Sequence, residues 1–487
     1  MKKKKCTKGG DNVATEYDVV ILGGGTGGYV AAIQAAKNGQ KVAVVEKGKV
    51  GGTCLHRGCI PTKALLRSAE VLQTVKKASE FGISVEGTAG INFLQAQERK
   101  QQIVDQLEKG IHQLFKQGKI DLFAGTGTIL GPSIFSPTAG TVSVEFEDGS
   151  ENEMLIPKNL IIATGSKPRT LNGLTIDEEN VLSSDGALNL ETLPKSIIIV
   201  GGGVIGMEWA SMMHDFGVEV TVLEYADRIL PTEDKEVAKE LARLYKKKKL
   251  TMHTSAEVQA ASYKKTDSGV EIKAVIKGEE QTFTADKMLV SVGRSANTEN
   301  IGLQNTDIAT ENGFIQVNDF YQTKESHIYA IGDCIPTIQL AHVAMEEGTI
   351  AANHIAGKET EKLDYDLVPR CIYTSTEIAS VGITEEQAKE RGHDVKKGKF
   401  FFRGIGKALV YGESDGFIKI IADKKTDDIL GVSMIGPHVT DMISEAALAQ
   451  VLNATPWEVG NTIHPHPTLS ESFREAALAV DGNAIHG

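Results

Sequence analysis

The hydrophobic positions of this chain fall into two kinds of block. Tyr17-Asp18-Val19-Val20-Ile21-Leu22 is an almost unbroken apolar run of strand length, the pattern of a parallel strand covered on both faces. An alanine-rich stretch of helical character follows to about Asn38, and a second apolar run, 41–45, ends at Glu46. The same order recurs later: Ile197 to Val200 reads as a strand, Val204 to about Phe216 as a helix, and 218–223 as a strand ending before Glu224. Two further runs end in Ala163-Thr164-Gly165 and in Ile331-Gly332-Asp333; taken alone, each reads equally as an ordinary strand end or as a nucleotide contact. Past residue 415 the pattern changes. Segments 416–422 and 429–435 alternate as antiparallel strands do, and Met442 to Leu452 has helical spacing. Two strand–helix–strand units followed by an antiparallel segment predict an α/β chain with two Rossmann-like domains and a C-terminal α+β domain.

Both units carry the same glycine spacing, Gly23-x-Gly25-x-x-Gly28 and Gly201-x-Gly203-x-x-Gly206. The first glycine permits the tight turn, the second lets a pyrophosphate approach the backbone, and the third lets helix pack on strand; an acid about twenty positions on accepts from a ribose hydroxyl. Two fingerprints predict two dinucleotides, with Glu46 and Glu224 as the acids. A carboxylate at Glu224 repels a 2′-phosphate, which favours NAD over NADP, although Arg228 lies close by in the chain. Glu208, just inside the second helix, either touches the nicotinamide side or faces solvent.

Directly behind the first fingerprint stands Gly51-Gly52-Thr53-Cys54-Leu55-His56-Arg57-Gly58-Cys59-Ile60-Pro61-Thr62-Lys63. Three readings of its cysteines remain open at this level: a redox disulfide, a metal site, or inert buried thiols. Zinc sites usually bring a second close Cys or His pair, and no other two cysteines here are near each other in sequence. The redox pair is favoured. In a regular helix five residues rise about 7.5 Å, more than the roughly 7 Å that bridged Cα atoms allow, so the turn from Cys54 to Cys59 must be distorted, with Gly58 and Pro61 as its instruments.

Composition narrows the class. A chain of 487 residues, 41 % hydrophobic with 50 glycines, has the size of about three domains. No run is long enough to span a bilayer, and the Lys2 to Lys5 run is not followed by an apolar signal segment, so a cytoplasmic protein is expected. Residues 1–15 hold five of the lysines and read as a basic, disordered tail; without them the net charge of -12 becomes about -16, which argues against nucleic acid. Five scattered cysteines do not make a secreted framework. Cys334 and Cys371 read as buried small hydrophobes and Cys6 as an exposed tail thiol.

The wording of several segments resembles the flavoprotein disulfide reductases that bind two dinucleotides, and within them the dihydrolipoamide dehydrogenase branch. The likeness runs from about Tyr17 to the C-terminus and rests on 51–63, IIATGSKPR (161–169), GGGVIGMEWA (201–210), SVGR (291–294), TKESHIYAIGDC (323–334) and HPHPTLSE (464–471). It implies tightly bound FAD in the first fingerprint, with Glu46 on the adenosine ribose and Lys63 near the flavin. Gly127, Ala163, Thr164, Gly165 and Ser166 would line that cofactor, Asp333 would take the ribitol, and Gln339, Leu340, Ala341 and His342 would pass beneath the ring system as the start of a helix. NAD is implied in the second fingerprint, with Glu224 on its ribose and Gly293 close by. The implied architecture is an FAD-binding domain from 16–168 and 294–362, an NAD-binding domain at 169–293, and a dimer-interface domain at 363–487.

His464-Pro465-His466-Pro467 is followed by Glu471. In an isolated chain this is a surface loop with histidines. Beside a redox disulfide it gains a purpose, because a thiol substrate is inert until deprotonated and an imidazole can take that proton near neutral pH. The resemblance assigns His466 as the base and Glu471 as the group that orients it, makes His464 structural, sets the loop against the disulfide of a partner subunit in a homodimer, and suggests a cis bond before Pro465. It implies oxidation of dihydrolipoyl groups, carried by a 2-oxoacid dehydrogenase complex, to lipoyl groups, with Cys54 attacked by substrate and Cys59 facing the flavin. NADPH-dependent glutathione-type reductases are disfavoured by Glu224. Mercuric-type reductases lack support because the last cysteine is Cys371, transhydrogenases because they lack the cysteine pair, and a non-catalytic flavin sensor because His466 and Glu471 are intact.

Overall fold

The computed structural model describes residues 15–132 and 139–486. Residues 1–14, with Cys6 and most of the expected tail, lie outside it; Thr15 opens the first strand. The chain forms two compact units. One comprises the described residues up to Pro61 together with Gln101–Lys167 and Arg294–Leu363; the other comprises Thr62–Lys100, Pro168–Gly293 and Asp364 onward.

The first unit is built on the predicted strand–helix–strand motif. Strand β1 (Thr15–Leu22) lies between two parallel neighbours, β2 (Val42–Glu46) and the strand Glu153–Ile162, with Val20 opposite Ala43 on one side and Leu160 on the other. Val19, Val20 and Ile21 are fully buried, which is why the run shows no polar alternation. Strand Ile328–Ala330 adds in parallel beyond Glu153–Ile162, and two antiparallel strands extend the same sheet. Helix α1 (Thr26–Lys37) covers the sheet through Ala31, Ala32 and Ala35. Its small face lets helix Ala341–Ile355 come close, since a Cβ on Gly348 would stand 2.7 Å from the Gly27 carbonyl oxygen.

The second unit repeats the motif. Strand Ser196–Val200 pairs in parallel with Glu219–Leu223 and with Lys287–Val290, and helix Val204–Phe216 connects the first two. An antiparallel three-stranded sheet, 256–285, is part of this unit and was not anticipated. Beyond it, the predicted antiparallel strands are Phe417–Asp423 and Ile429–Gly436, paired with Ile418 opposite Met434 inside a five-stranded sheet. The helix expected from Met442 begins earlier, at Val439, and ends at Val451. Its N-cap is His438 at φ 54°, not one of the residues that mark helix starts in sequence. Among the described residues no helix is long and apolar enough to cross a membrane.

Candidate active site

The cysteine turn shows the distortion that the spacing demands. After β2, α2 (Gly52–His56) stops at Arg57, whose φ of -140° leaves the helical region, and α3 (Cys59–Lys76) restarts with Cys59 as its first residue. Gly58 makes the return possible: a Cβ there would stand 3.0 Å from the Thr53 carbonyl oxygen and 3.4 Å from the Cα of Cys54. Pro61 falls in the first turn of α3, where its missing N–H goes unneeded. The two thiols form a close, half-buried pair. Tyr29 of α1 has its hydroxyl pKa raised, first by burial and then by the neighbouring Cys54. Gly52 also packs on the fingerprint loop, since a Cβ on it would lie 2.6 Å from the Cα of Gly25.

The glycine loops have the shape that a pyrophosphate requires. Gly23 and Gly201 adopt φ of 110° and 107°, and a Cβ on either would collide with a strand-end carbonyl, that of Ala163 at 2.3 Å or Ser291 at 2.4 Å. Gly28 and Gly206 would each drive a Cβ to 1.9 Å from the carbonyl of the first glycine of their motif. The middle positions are open: nothing lies within 4 Å of a Cβ on Gly203, and on Gly25 only the Gly52 Cα at 3.9 Å. Both connecting helices begin at these middle glycines with no side-chain cap and no acid in the first turn, which suits an anionic group at the helix N-terminus.

The two strand-end acids share one design. The Glu46 carboxylate accepts from the N–H of Gly24 at 2.6 Å and of Gly48 at 2.7 Å. Glu224 accepts from Gly202 and, at 2.6 Å, from Ala226. Each acid is thereby clamped to its own glycine loop, a link the sequence spacing did not disclose. Arg228 is engaged elsewhere, donating to the Pro231 carbonyl at 3.0 Å and to Glu386 at 3.2 Å.

Within the first unit Asp333 accepts from the Ser166 hydroxyl, and Arg294 donates to the same hydroxyl at 2.6 Å, its Nε lying 3.8 Å from the Asp333 carboxylate. Asn297 ties down Thr164 and Gly165 through the Thr164 and Gly165 carbonyls. Helix Ala341–Ile355 begins at Ala341 with Leu340 as N-cap, and Gln339 donates to the Asp333 carbonyl at 3.5 Å. Glu347, wholly buried, holds the Gly332 N–H at 2.6 Å and the Thr337 hydroxyl at 2.8 Å. Gly127 is a packing glycine, its Cβ position filled by Leu22 and Val45. Sequence reasoning gave no role to Arg294 or Asn297, whose partners lie 128 and 133 residues away, or to Glu347, whose partners 15 and 10 residues before it are a backbone N–H and a hydroxyl that no motif marks.

In the second unit Glu208 does not face solvent. Its side chain is 5 % exposed, both oxygens take the Lys63 ammonium at 2.9 and 2.8 Å, and one also accepts from the Tyr373 N–H at 3.0 Å. The ammonium stands 4.7 Å from the centre of the Tyr373 ring, within cation–π range. Burial first, and then nearby negative groups, push the Tyr373 hydroxyl up to about 12, so it stays protonated. Arg169 donates its N–H to the carbonyl of Gly293, whose φ is 103°.

His466 and Glu471 meet as expected, Nδ1 to Oε1 at 2.8 Å, while the second carboxylate oxygen accepts from the Thr468 N–H at 2.9 Å. Burial alone would raise the Glu471 carboxyl; the Thr468 N–H and the imidazole outweigh it and hold it below the usual value. The His466 side chain is 77 % exposed in the single chain. His464 is buried against Glu445 at 2.8 Å, a structural contact. The cis bond is placed differently from expectation: it precedes Pro467, not Pro465. Cys334 is fully buried and pushed up to about 12 by burial, whereas Cys371 is only half-buried, with its thiol toward the Thr440 carbonyl. Among the described residues no group of three His, Cys, Asp or Glu could hold a metal ion.

Residues 17–348 match the model of the pyridine nucleotide-disulphide oxidoreductases and residues 368–477 the model of their dimerisation domain. The chain belongs to this family. It is 66 % identical over 474 residues to dihydrolipoyl dehydrogenase of Bacillus subtilis, covering 97 % of this chain and all of that one. Among solved structures, LpdA from Mycobacterium tuberculosis superposes with a TM-score of 0.86 at 26 % identity, covering 95 % of this chain and 99 % of that one. A copper complex of the HOCl-induced flavoprotein disulfide reductase RclA from Escherichia coli gives 0.83 at 27 % identity, with the same coverage. The family uses a flavin and a pyridine nucleotide, and the chain carries the family's dimerisation domain.

Proposed function

We infer that the protein oxidises dihydrolipoyl groups to lipoyl groups and passes the electron pair to NAD, the reaction of a dihydrolipoyl dehydrogenase. The observation that carries this reading is the 66 % identity to a protein of that name over the whole of its length, and the close pair Cys54 and Cys59 and the hydrogen bond between His466 and Glu471 support it. His466, with Nδ1 held by Glu471, takes a proton on its other ring nitrogen from one substrate thiol. The thiolate attacks the Cys54 sulfur, the Cys54–Cys59 bond breaks, and the electron pair leaves on Cys59. The second substrate thiol then attacks the sulfur already joined to Cys54, its proton passing to the departing Cys54 sulfur. A lipoyl disulfide is released, and the two cysteines keep the two electrons. FAD bound along the first fingerprint would take those two electrons as the Cys54–Cys59 bond re-forms, and would supply the hydride for NAD.

Glu46, Ser166, Asp333 and the 339–342 segment would hold the flavin nucleotide, and Gly201, Gly203, Gly206, Glu224 and Gly293 the NAD. The Lys63 ammonium, anchored by Glu208, would stabilise negative charge on Cys59 and on the reduced ring. The base would serve the disulfide of the partner subunit, so the competent species would be a dimer, working in the cytoplasm on lipoyl domains of a 2-oxoacid dehydrogenase complex. Steady-state oxidation of dihydrolipoamide with NAD tests the reading; turnover of other disulfides but not of dihydrolipoamide would refute it.

A further inference from the structure

Arg228 is an unexpected companion for Glu224. In dinucleotide folds a nearby arginine is what accommodates a 2′-phosphate, and a guanidinium is well matched to phosphate geometry. Here it follows the ribose acid by four residues. Its guanidinium is taken by the Pro231 carbonyl at 3.0 Å and by Glu386 at 3.2 Å, with Asp227 at 4.0 Å. Glu386 lies 158 residues away, in the first turn of helix Glu385–Glu390, and also pairs with Lys235. That helix is fixed by a capping box between Thr384 and Gln387 and by Glu385, whose carboxyl falls to about 2; burial opposes the shift, and Lys389, Lys419 and Lys397 outweigh it. The Arg228 Nε is buried and makes no hydrogen bond among the described residues. One guanidinium nitrogen is therefore shared between a local carbonyl and the acid of the distant helix, and Nε is left over.

We propose that Glu386 determines nucleotide specificity: by engaging Arg228 it withholds a guanidinium from the ribose end of the second nucleotide site, so that a 2′-phosphorylated nucleotide meets only the clamped carboxylate of Glu224. The proposal rests on the reading of the second fingerprint as the NAD site. Glu386 acts through Arg228 and is a positioning residue.

Binding of 5′-AMP and of 2′,5′-ADP to the FAD-loaded protein, followed by calorimetry, tests it without reference to turnover. In Glu386→Gln the affinity for 2′,5′-ADP should rise about tenfold, the size of one charge-assisted contact, while that for 5′-AMP is unchanged. Adding Arg228→Ala should abolish the gain. Unchanged 2′,5′-ADP affinity in Glu386→Gln overturns the proposal, and so does a gain that survives in the double variant, which would assign the effect to Lys235. Failure of the unaltered protein to bind 5′-AMP at all would instead refute the nucleotide reading beneath it.

Discussion

Lys63 and Glu208 lie 145 residues apart in the chain, yet the ammonium of one meets both carboxylate oxygens of the other within 2.9 Å. Tyr373 completes the arrangement, its N–H on the carboxylate and its ring 4.7 Å from the ammonium. Breaking such a pair costs more than the pair contributes, because the remaining charge is left buried. Lys63→Met should lower the stability of this unit by about 2 kcal/mol, less than for a fully buried pair because Lys63 is partly exposed, and Lys63→Arg should recover much of it. Chemical denaturation reads the difference; an unchanged midpoint in Lys63→Met would show that Glu208 needs no cation.

The cysteines divide by environment. Cys54→Ser and Cys59→Ser should each abolish dihydrolipoamide oxidation, since neither a bridge nor an exchange step survives. Cys334→Ala should leave it nearly intact, because that thiol is buried, is pushed up to about 12, and stays protonated and inert. Strong activity in either of the first two variants would end the disulfide mechanism.

Replacing His466 by Gln should reduce dithiol turnover by about 100-fold, as expected for a lost general base. Bleaching of the flavin by NADH should proceed as before, since that half of the reaction needs no imidazole. Equal loss in both half-reactions would mean that the substitution acts on the fold.

His464 and Glu471 give opposite pH dependences. The Glu445 carboxylate raises the His464 pKa above its ordinary 6.5 against the effect of burial, so its stabilisation is complete below 6.5 and is lost as pH rises through the folded value. The Glu471 carboxyl is lowered from 4.5; its contribution is complete above 4.5 and is lost as pH falls through the folded value. Thermal midpoints measured from about pH 5 to 9 should fall at the alkaline end in the unaltered protein and less so in Glu445→Gln. Parallel curves for the two would contradict the His464 assignment.

Much of this site was legible because its chemistry is local. β1, α1 and β2 came from an apolar run, a small-residue helix and a terminal acid, each decided by neighbours in sequence. The kinked cysteine turn and the His466–Glu471 pair are equally local, spanning five residues each. What escaped was tertiary. Glu208 is a polar position on a helix until Lys63 and Tyr373 arrive from elsewhere, and Arg294 has no visible purpose without Ser166 and Asp333. The sheet of 256–285 was hidden although Gly269–Ile276 alternates between buried and half-exposed positions, because lysines and glutamates on its neighbouring strands mask the pattern. Helix Val439–Val451 was entered late for want of an ordinary cap at His438.

In the proposed reaction two electrons pass from a dithiol through Cys54 and Cys59 to a flavin and on to NAD. An anaerobic titration of the FAD-loaded protein with dihydrolipoamide, followed in the visible spectrum before and after NAD is added, tests it most directly. A long-wavelength charge-transfer band that grows with dithiol and disappears on adding NAD is the predicted result. A flavin that stays oxidised in dihydrolipoamide yet bleaches with a pyridine nucleotide would contradict the substrate assignment while leaving family and fold in place.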